Sequence, residues 1–136
     1  MLDPADCGPA VISMSQDVQG EAYDYPEIFF EEKIHEIRRI HPDPNQIQKA
    51  ADKLKNSKQP IIISGGGVLY SEAEDEISAF AKKHNIPVTA TVMGIGCMNK
   101  DDPYYISAIG CLGEGSSNNL ATDTDLALAV GTKLGD

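Results

Sequence analysis

The chain has 136 residues, of which 21 are acidic and 11 are lysine or arginine, so its formal net charge is −10. Nucleic acids and anionic membranes are bound through clustered basic side chains, so this acidic balance argues against both as partners. No apolar run reaches the roughly 18 residues of a membrane span, and residues 1–9 lack the basic and apolar regions of a signal peptide. The three cysteines have neither disulfide nor metal-site spacing. We therefore expect a cytoplasmic protein.

Apolar runs typical of buried strands lie near both ends of the chain, at residues 8–15 and 126–131. A domain seldom begins and ends on core strands, because their missing neighbours would leave open edges. We therefore expect a truncated fragment of a longer polypeptide. Residues 1–19 would carry the last strand of a preceding domain, residues 20–42 a linker, and residues 43–136 a domain that is incomplete at its C-terminus.

The linker has two interpretations. Asp24 and Pro26 can start a helix that carries Phe30, Ile34 and Ile37 on one face. An extended interdomain connection is the alternative.

The next helix has clearer boundaries. Asp43 can accept hydrogen bonds from the first free amides, and Pro44 suits the first helical position. Apolar residues then recur at helical spacing: Ile47, Ala50, Ala51 and Leu54.

Strands and helices alternate over the rest of the chain. Residues 60–64 form an unalternating β-branched run, as expected for a parallel strand that is buried on both faces. Ser71 and Glu74 have the spacing of a capping box, which predicts a helix that buries Ala73, Ile77, Phe80 and Ala81. The later predictions are strands at 86–91 and 126–131 and a short helix at 118–121. This order predicts an α/β fold, a Rossmann-like parallel sheet with flanking helices.

Three consecutive glycines, Gly65, Gly66 and Gly67, follow the strand at 60–64. Glycines at this point leave backbone amides free at a helix start, where pyrophosphate binds in dinucleotide folds. Tyr70 stands where the fingerprint G-x-G-x-x-G needs a small residue, so the motif is incomplete. The alternative is that these glycines only permit a sharp turn and close packing.

Other candidate sites are weaker. The loop at 110–117 has the glycine content of an anion nest, although Glu114 would repel a phosphate. A loop at a cofactor or subunit interface and a plain connector are its alternatives. Asp101 and Asp102 precede a proline and predict a turn rather than a cation site. No histidine has ligand spacing, and no serine or cysteine has a recognisable base partner.

Five landmarks follow one another along the chain: residues 8–19, 60–67, 86–89 and 125–131, and Asp136. In order and spacing they resemble the end of the pyrimidine-binding domain and the central domain of thiamine-diphosphate enzymes of the acetolactate synthase and pyruvate oxidase type. Within that superfamily, the tyrosine-rich segment 17–26 is similar to the trihydroxycyclohexanedione hydrolases of bacterial myo-inositol catabolism.

The resemblance implies an enzyme that hydrolytically opens trihydroxycyclohexane-1,2-dione, a cyclic diketone, to 5-deoxyglucuronate. Its cofactors would be thiamine diphosphate and Mg²⁺, held between a pyrimidine-binding and a pyrophosphate-binding domain, usually across a homodimer interface. The expected partners are thus the flanking domains of the same chain, a second subunit and the diketone. The central domain would brace the catalytic domains.

The chain departs from the family pattern where the cofactor binds. Asn118 and Asn119 have no Gly-Asp-Gly before them, although that motif holds the metal and pyrophosphate in the family. The resemblance therefore implies no catalytic and no metal-binding residue within these 136 residues. The cofactor would lie outside them, and they would be inactive alone.

Two alternatives remain. Flavin-using relatives hold FAD on this domain, so Gly65, Gly66, Gly67, Gly131 and Lys133 would then contact the ADP part of a nucleotide. Lys133 replaces the arginine usual in the family, and lysine lacks its bidentate fork. The other alternative is the equivalent domain of an acetolactate-synthase-like enzyme that acts on 2-keto acids.

Overall fold

The computed structural model describes residues 8–36 and 41–134. The backbone contacts divide the chain into two units, Met1–Pro42 and Asp43–Asp136. The assignment of residues 1–19 to a preceding domain and of residues 20–42 to a linker stays a prediction.

The described part of the first unit contains little regular structure. Helix α1 spans Gln16–Gln19, and a single 3-10 turn spans Glu27–Phe29. Residues 8–15, predicted as a strand, form no strand among the described residues, and Val11 is 92% exposed. A strand requires a neighbour for its backbone groups, so an apolar run alone does not form one.

The predicted helix with Phe30, Ile34 and Ile37 on one face is wrong over the described residues. Residues 31–36 have no helical turn, and Ile37 lies outside the described residues. Ile34 is 86% exposed, so it has no packing partner. Short helices are marginal in water without tertiary packing of their apolar face.

The second unit is an α/β layer built on four parallel strands. The strands are β1 (Pro60–Ser64), β2 (Val88–Ala90), β3 (Tyr105–Ala108) and β4 (Leu126–Val130), in the spatial order β3-β2-β1-β4. The helices are α2 (Pro44–Asn56), α3 (Gly66–Tyr70), α4 (Glu74–His84) and α5 (Gly115–Asp123), and a 3-10 turn spans Val92–Gly94. The predicted Rossmann-like fold class is confirmed.

Helix α2 begins as the sequence predicts. The Asp43 carboxylate accepts hydrogen bonds from the backbone N–H groups of Asn45 at 2.7 Å and Gln46 at 3.3 Å, and Pro44 occupies the first helical position. No residue of α2 is fully buried, although its apolar residues recur at helical spacing.

Helix α4 does not begin with the predicted capping box. Its N-cap is Ala73, and no side chain caps it. Ser71 instead closes α3, where its N–H bonds to the Gly67 carbonyl at 3.1 Å, and Glu72 turns the chain with a φ of +52°. Of the two residues that resembled a capping box, Ser71 therefore closes α3, and Glu74 is the first residue of α4. The helix ends at Asn85 in the left-handed conformation, which asparagine tolerates better than most residues.

The core lies between β1, β2 and α4. Ile62 stands opposite Val88 and Leu128 in the sheet register, and with Ile77 and Ala81 of α4 it belongs to one apolar cluster. Strand β4 differs from its prediction as a core strand. Within the described part of the chain it pairs only with β1, and Ala127 and Ala129 on one of its faces are exposed. No described helix is both long and apolar enough to cross a bilayer.

An aspartate ties the beginning of β4 to the loop before β1. The Asp125 carboxylate accepts hydrogen bonds from the Ser57 hydroxyl and from the backbone N–H groups of Lys58 at 2.8 Å and Gln59 at 3.1 Å. These bonds, that of Ser57 foremost, lower the pKa of Asp125.

A second aspartate ties the loop before β3 to helix α4. Asp102 accepts from Lys82 Nζ at 2.9 Å, Ser78 Oγ at 3.1 Å and the Tyr104 N–H at 3.0 Å, and its side chain is 7% exposed. The hydrogen bond from Lys82 is the main cause that lowers the pKa of Asp102. The predicted turn at 101–102 is thus present, and Lys82 is paired with its carboxylate.

Candidate functional site

The candidate site is the carboxyl edge of the sheet between β1 and β4. The chain runs β1, β2, β3 in one direction and then crosses back to place β4 on the other side of β1. Ligands of open parallel sheets bind where the strand order reverses in this way. The fold therefore brings the predicted glycines Gly65, Gly66 and Gly67, which follow β1, next to Gly131, which follows β4.

The amides of this turn have partners within the protein. The Gly65 N–H donates to the Val130 carbonyl and the Gly67 N–H to the Gly131 carbonyl, both at 2.8 Å. Two of the three glycine amides that could bind a pyrophosphate thus extend the pairing of β1 with β4. Helix α3, which follows, is only five residues long, from Gly66 to Tyr70.

The glycines also pack too closely for any side chain. A methyl group on Gly67 would lie 2.7 Å from the Gly131 Cα, and one on Gly131 would lie 2.7 Å from the Val68 amide nitrogen. A methyl group on Gly65 would overlap the Gly131 carbonyl and lie 2.7 Å from the Thr132 Cα. Gly131 also has a φ of +60°, which favours glycine. This geometry supports close packing as one role of the glycines.

The turn after β2 packs against the end of β1 and the glycines that follow it. A methyl group on Gly94 would overlap the Ser64 carbonyl, and the Thr91 N–H donates to the same carbonyl at 2.8 Å. Met93, whose carbonyl lies 3.0 Å from a methyl group placed on Gly66, is 66% exposed. Sequence analysis did not identify this contact, because no local pattern indicates which turns meet at the edge of a sheet.

Lys133 follows β4 at the same edge and is exposed. A contact of Lys133 and the four glycines with a nucleotide stays a prediction. The structure brings the four glycines together. The N–H groups of Gly65 and Gly67 already donate to backbone carbonyls, so a nucleotide would have to be held by other groups.

The loop at 110–117 lies at the carboxyl end of β3. Gly110 has a φ of +100°, and the Asn118 side chain clamps it, accepting from the Gly110 N–H at 2.9 Å and donating to its carbonyl at 3.1 Å. Glu114 is the N-cap residue of α5, and its side chain makes no capping bond. Its carboxylate thus lies at the helix start, where an anion would bind. The expected anion nest stays a prediction.

Two groups have raised pKa values: Cys97 in the core and the partly buried Tyr105, which packs against the core. Cys97 is fully buried, and burial raises the pKa of its thiol. Burial also raises the pKa of Tyr105 on β3. Both groups are therefore neutral near pH 7, which does not suit Cys97 to act as a thiolate nucleophile.

A metal–diphosphate site needs several oxygen or nitrogen ligands at one place. The residues that the structure describes contain no cluster of three or more His, Cys, Asp or Glu side chains that could hold a metal ion. Both polar atoms of the Asn118 side chain are engaged with Gly110. The residues present therefore do not fit thiamine diphosphate with its metal.

Comparison with curated proteins identifies close relatives. A 3D-(3,5/4)-trihydroxycyclohexane-1,2-dione hydrolase of Clostridium botulinum is 43% identical over all 136 residues, and that of Bacillus subtilis is 41% identical over the same length. The alignment covers 21% of each relative. The chain thus spans about a fifth of the length of the curated relatives it matches.

Comparison with solved structures supports the fold. A structure described as that of a thiamin diphosphate-dependent enzyme from Mycobacterium smegmatis matches 71% of this chain and 20% of its own, with a TM-score of 0.58 and 22% identity. The family described as "Thiamine pyrophosphate enzyme, central domain" matches residues 47–136. On this evidence the chain belongs to the central-domain family of thiamine pyrophosphate enzymes.

Proposed function

We propose that the chain is the central domain of a thiamine-diphosphate-dependent hydrolase that opens trihydroxycyclohexane-1,2-dione to 5-deoxyglucuronate in myo-inositol catabolism. The observation that carries the proposal is the 43% identity over the whole chain, which includes the residues before the family match begins at residue 47. The intact enzyme would be a cytoplasmic homo-oligomer that uses Mg²⁺ with the cofactor.

The proposed role of these residues is structural and not catalytic. Two features support it. The crevice where a Rossmann-like domain binds nucleotides is occupied by backbone from both sides, at Gly65, Gly67 and Gly131. The Asp102 carboxylate, the buried acid in the loop before β3, is paired with Lys82. Thiamine diphosphate would bind on the flanking pyrimidine-binding and pyrophosphate-binding domains.

Turnover by the intact protein tests the activity. We expect conversion of the cyclic dione, followed by the NMR signals of the product, to depend on added thiamine diphosphate and Mg²⁺. Pyruvate serves as the comparison substrate. Acetolactate formation from pyruvate without turnover of the dione would favour the 2-keto acid enzyme instead, and inactivity towards both would contradict the proposal.

We also propose that two loops at the carboxyl edge shape the approach of the substrate. Met93 in the turn after β2 and Leu112 in the loop after β3 are 66% and 82% exposed. Removing both apolar side chains, as Met93→Ala with Leu112→Ala, should raise KM for the dione by about three- to tenfold, because roughly 1 kcal/mol of apolar contact is lost. Ile34→Ala, at an 86% exposed apolar residue outside both loops, is the matched control. Unchanged kinetic constants in the double variant would refute this role.

A nucleotide-binding module is the second candidate. The observation that favours it is the position of the glycines at the point where the strand order reverses, between β1 and β4. Titration of FAD, NAD and ADP into the intact protein tests it. Saturable binding with a Kd well below 1 mM, weakened by Lys133→Ala, would support the nucleotide site. No binding below about 1 mM would favour the structural role.

A further inference from the structure

A groove lies between helices α2 and α4, away from the glycine crevice. It encloses about 650 Å³ and reaches down to Pro60, Ile86 and Leu128 of the sheet layer. This volume is within the range of small-molecule sites, about 300–1,000 Å³. All of its lining residues belong to the second unit.

The apolar side of α2 faces this groove. An amphipathic helix of a globular protein normally buries its apolar stripe in the core. Here Ile47 lines the groove and is 51% exposed, while Leu54 lines it from a partly buried position against the core. Across the groove Phe80 of α4 presents a partly buried ring that stacks on His84, with ring centroids 4.5 Å apart. The walls thus offer aliphatic and aromatic surface to a ligand.

The charge around the groove has the opposite sign to the charge of the chain. The chain contains 21 acidic and 11 basic residues, yet the groove is lined by Lys55, Lys58 and His84 and by no carboxylate among the described residues. Within the described parts of the chain neither lysine lies within ion-pair distance of an acidic group. Two lysine ammonium groups thus have no ion-pair partner among the described residues, and the Asp125 carboxylate beside the groove is bound to the Ser57 hydroxyl and the Lys58 backbone N–H.

We propose that this groove binds an amphipathic organic anion, a molecule with a medium-length apolar body and one acidic group. The apolar body would lie against Ile47, Leu54 and Phe80. The acidic group would lie at Lys55 and Lys58, because a charge-assisted hydrogen bond to an ammonium is stronger than a neutral one. A pocket that is mostly apolar with a few polar groups at its rim is the usual form of such a site. This proposal does not depend on the proposed enzyme activity.

The test uses the intact protein and decanoate as the probe, kept below its micelle-forming concentration. We expect saturable binding by isothermal titration calorimetry below 1 mM. Decyltrimethylammonium, with the same tail and the opposite charge, should bind at least about tenfold more weakly. Equal binding of the two amphiphiles, or no saturable binding of decanoate, would overturn the proposal. The absence of saturable decanoate binding is also expected if another part of the polypeptide covers the groove.

Variants locate the site. The double variant Lys55→Gln with Lys58→Gln should weaken decanoate about tenfold or more, and it should leave the binding of neutral decanol unchanged. Ala51→Trp, which fills the groove, should weaken both ligands. Lys100→Gln, an exposed lysine that does not line the groove, is the matched control. A double variant that binds decanoate like the wild type would refute the assignment, and an unaltered circular dichroism spectrum excludes unfolding as the cause of lost binding.

Discussion

Substitutions at four glycines can separate two energetic costs: the crowding of a new side chain and the strain of a positive φ. Gly131 has both a positive φ and a crowded position, and Gly67 has only the crowded position. Gly110 has a φ of +100° but no atom within 4 Å of a new methyl group, and Gly115 has neither constraint. Substitution of each by alanine therefore tests the two effects one at a time.

The expected changes in the free energy of unfolding follow from the geometry. A methyl group forced into a packed position costs about 1–3 kcal/mol, and an L-residue in the left-handed region costs about 1–2 kcal/mol. Gly67→Ala should therefore lose about 1–3 kcal/mol and Gly131→Ala about 2–5 kcal/mol. Gly110→Ala should lose about 1–3 kcal/mol from backbone strain alone. Gly115→Ala, in the first turn of α5, should be neutral or stabilising by up to about 1 kcal/mol.

Urea denaturation of the 136-residue chain, followed by circular dichroism at equilibrium, measures these four changes. The order Gly131→Ala, then Gly67→Ala and Gly110→Ala, then Gly115→Ala is the expected order of destabilisation. If Gly67→Ala proved as stable as Gly115→Ala, the close approach of the β1 and β4 turns would be refuted. If Gly131→Ala were no worse than Gly110→Ala, crowding at Gly131 would contribute nothing.

Three further predictions concern polar contacts outside the crevice. Asp125→Asn should lower the urea midpoint above about pH 4 but not in stronger acid. The pKa of Asp125 is lowered in the folded state, so its carboxylate stabilises the fold at pH values above its ordinary pKa, and this contribution is lost as the pH falls through the folded-state pKa. In the control, Asp123→Asn, the difference from the wild type should not disappear in acid. Asp102→Ala should lower the free energy of unfolding by about 1–3 kcal/mol, because it leaves the part-buried donors Ser78 and Tyr104 without a partner. Lys82→Met should cost under about 1 kcal/mol, since Lys82 is half exposed. The reverse order of unfolding free energies would contradict this. Asp43→Ala should cost about 1 kcal/mol and increase hydrogen exchange in the first turn of α2, and unchanged exchange would show that the cap is not formed.

Elements with a strong local signal were predictable from the sequence. β1 is an unbroken β-branched run, and its burial on both faces follows from its place inside a parallel sheet. Helix α2 has a capping aspartate and a proline at its first position, and both act as predicted. These signals are local, so the rest of the fold does not alter them.

Strand β3 was missed because its signal depends on context. Tyr105–Ala108 is short and only partly buried, and it lies at the edge of the sheet. Such a strand needs only β2 beside it, so neither alternation nor a long apolar run is required. The false capping box at Ser71 has a similar cause: a serine three residues before a glutamate suits an N-cap, but here Ser71 ends α3, and the chain turns at Glu72, with a positive φ, before α4 begins.

The roles of the glycines could be predicted only in part. The sequence places Gly65 to Gly67 after a strand, which is compatible with a phosphate site and with close packing. The outcome depends on Gly131, more than 60 residues later, and no local pattern indicates that its carbonyl accepts the Gly67 N–H at 2.8 Å. Distant backbone pairing therefore shows the packing role of the glycines, and their contact with a nucleotide stays a prediction.

This pairing also determines what a nucleotide would meet at the crevice. A pyrophosphate would find the N–H groups of Gly65 and Gly67 already donating to β4. Releasing both bonds would cost about 1–3 kcal/mol, which weakens binding by roughly 5- to 150-fold. A nucleotide would therefore have to bind through other groups, Lys133 among them, or bind weakly. The weak titration expected for a structural central domain and the stability loss expected for Gly67→Ala thus have the same cause, the closed backbone contact between the turns that follow β1 and β4.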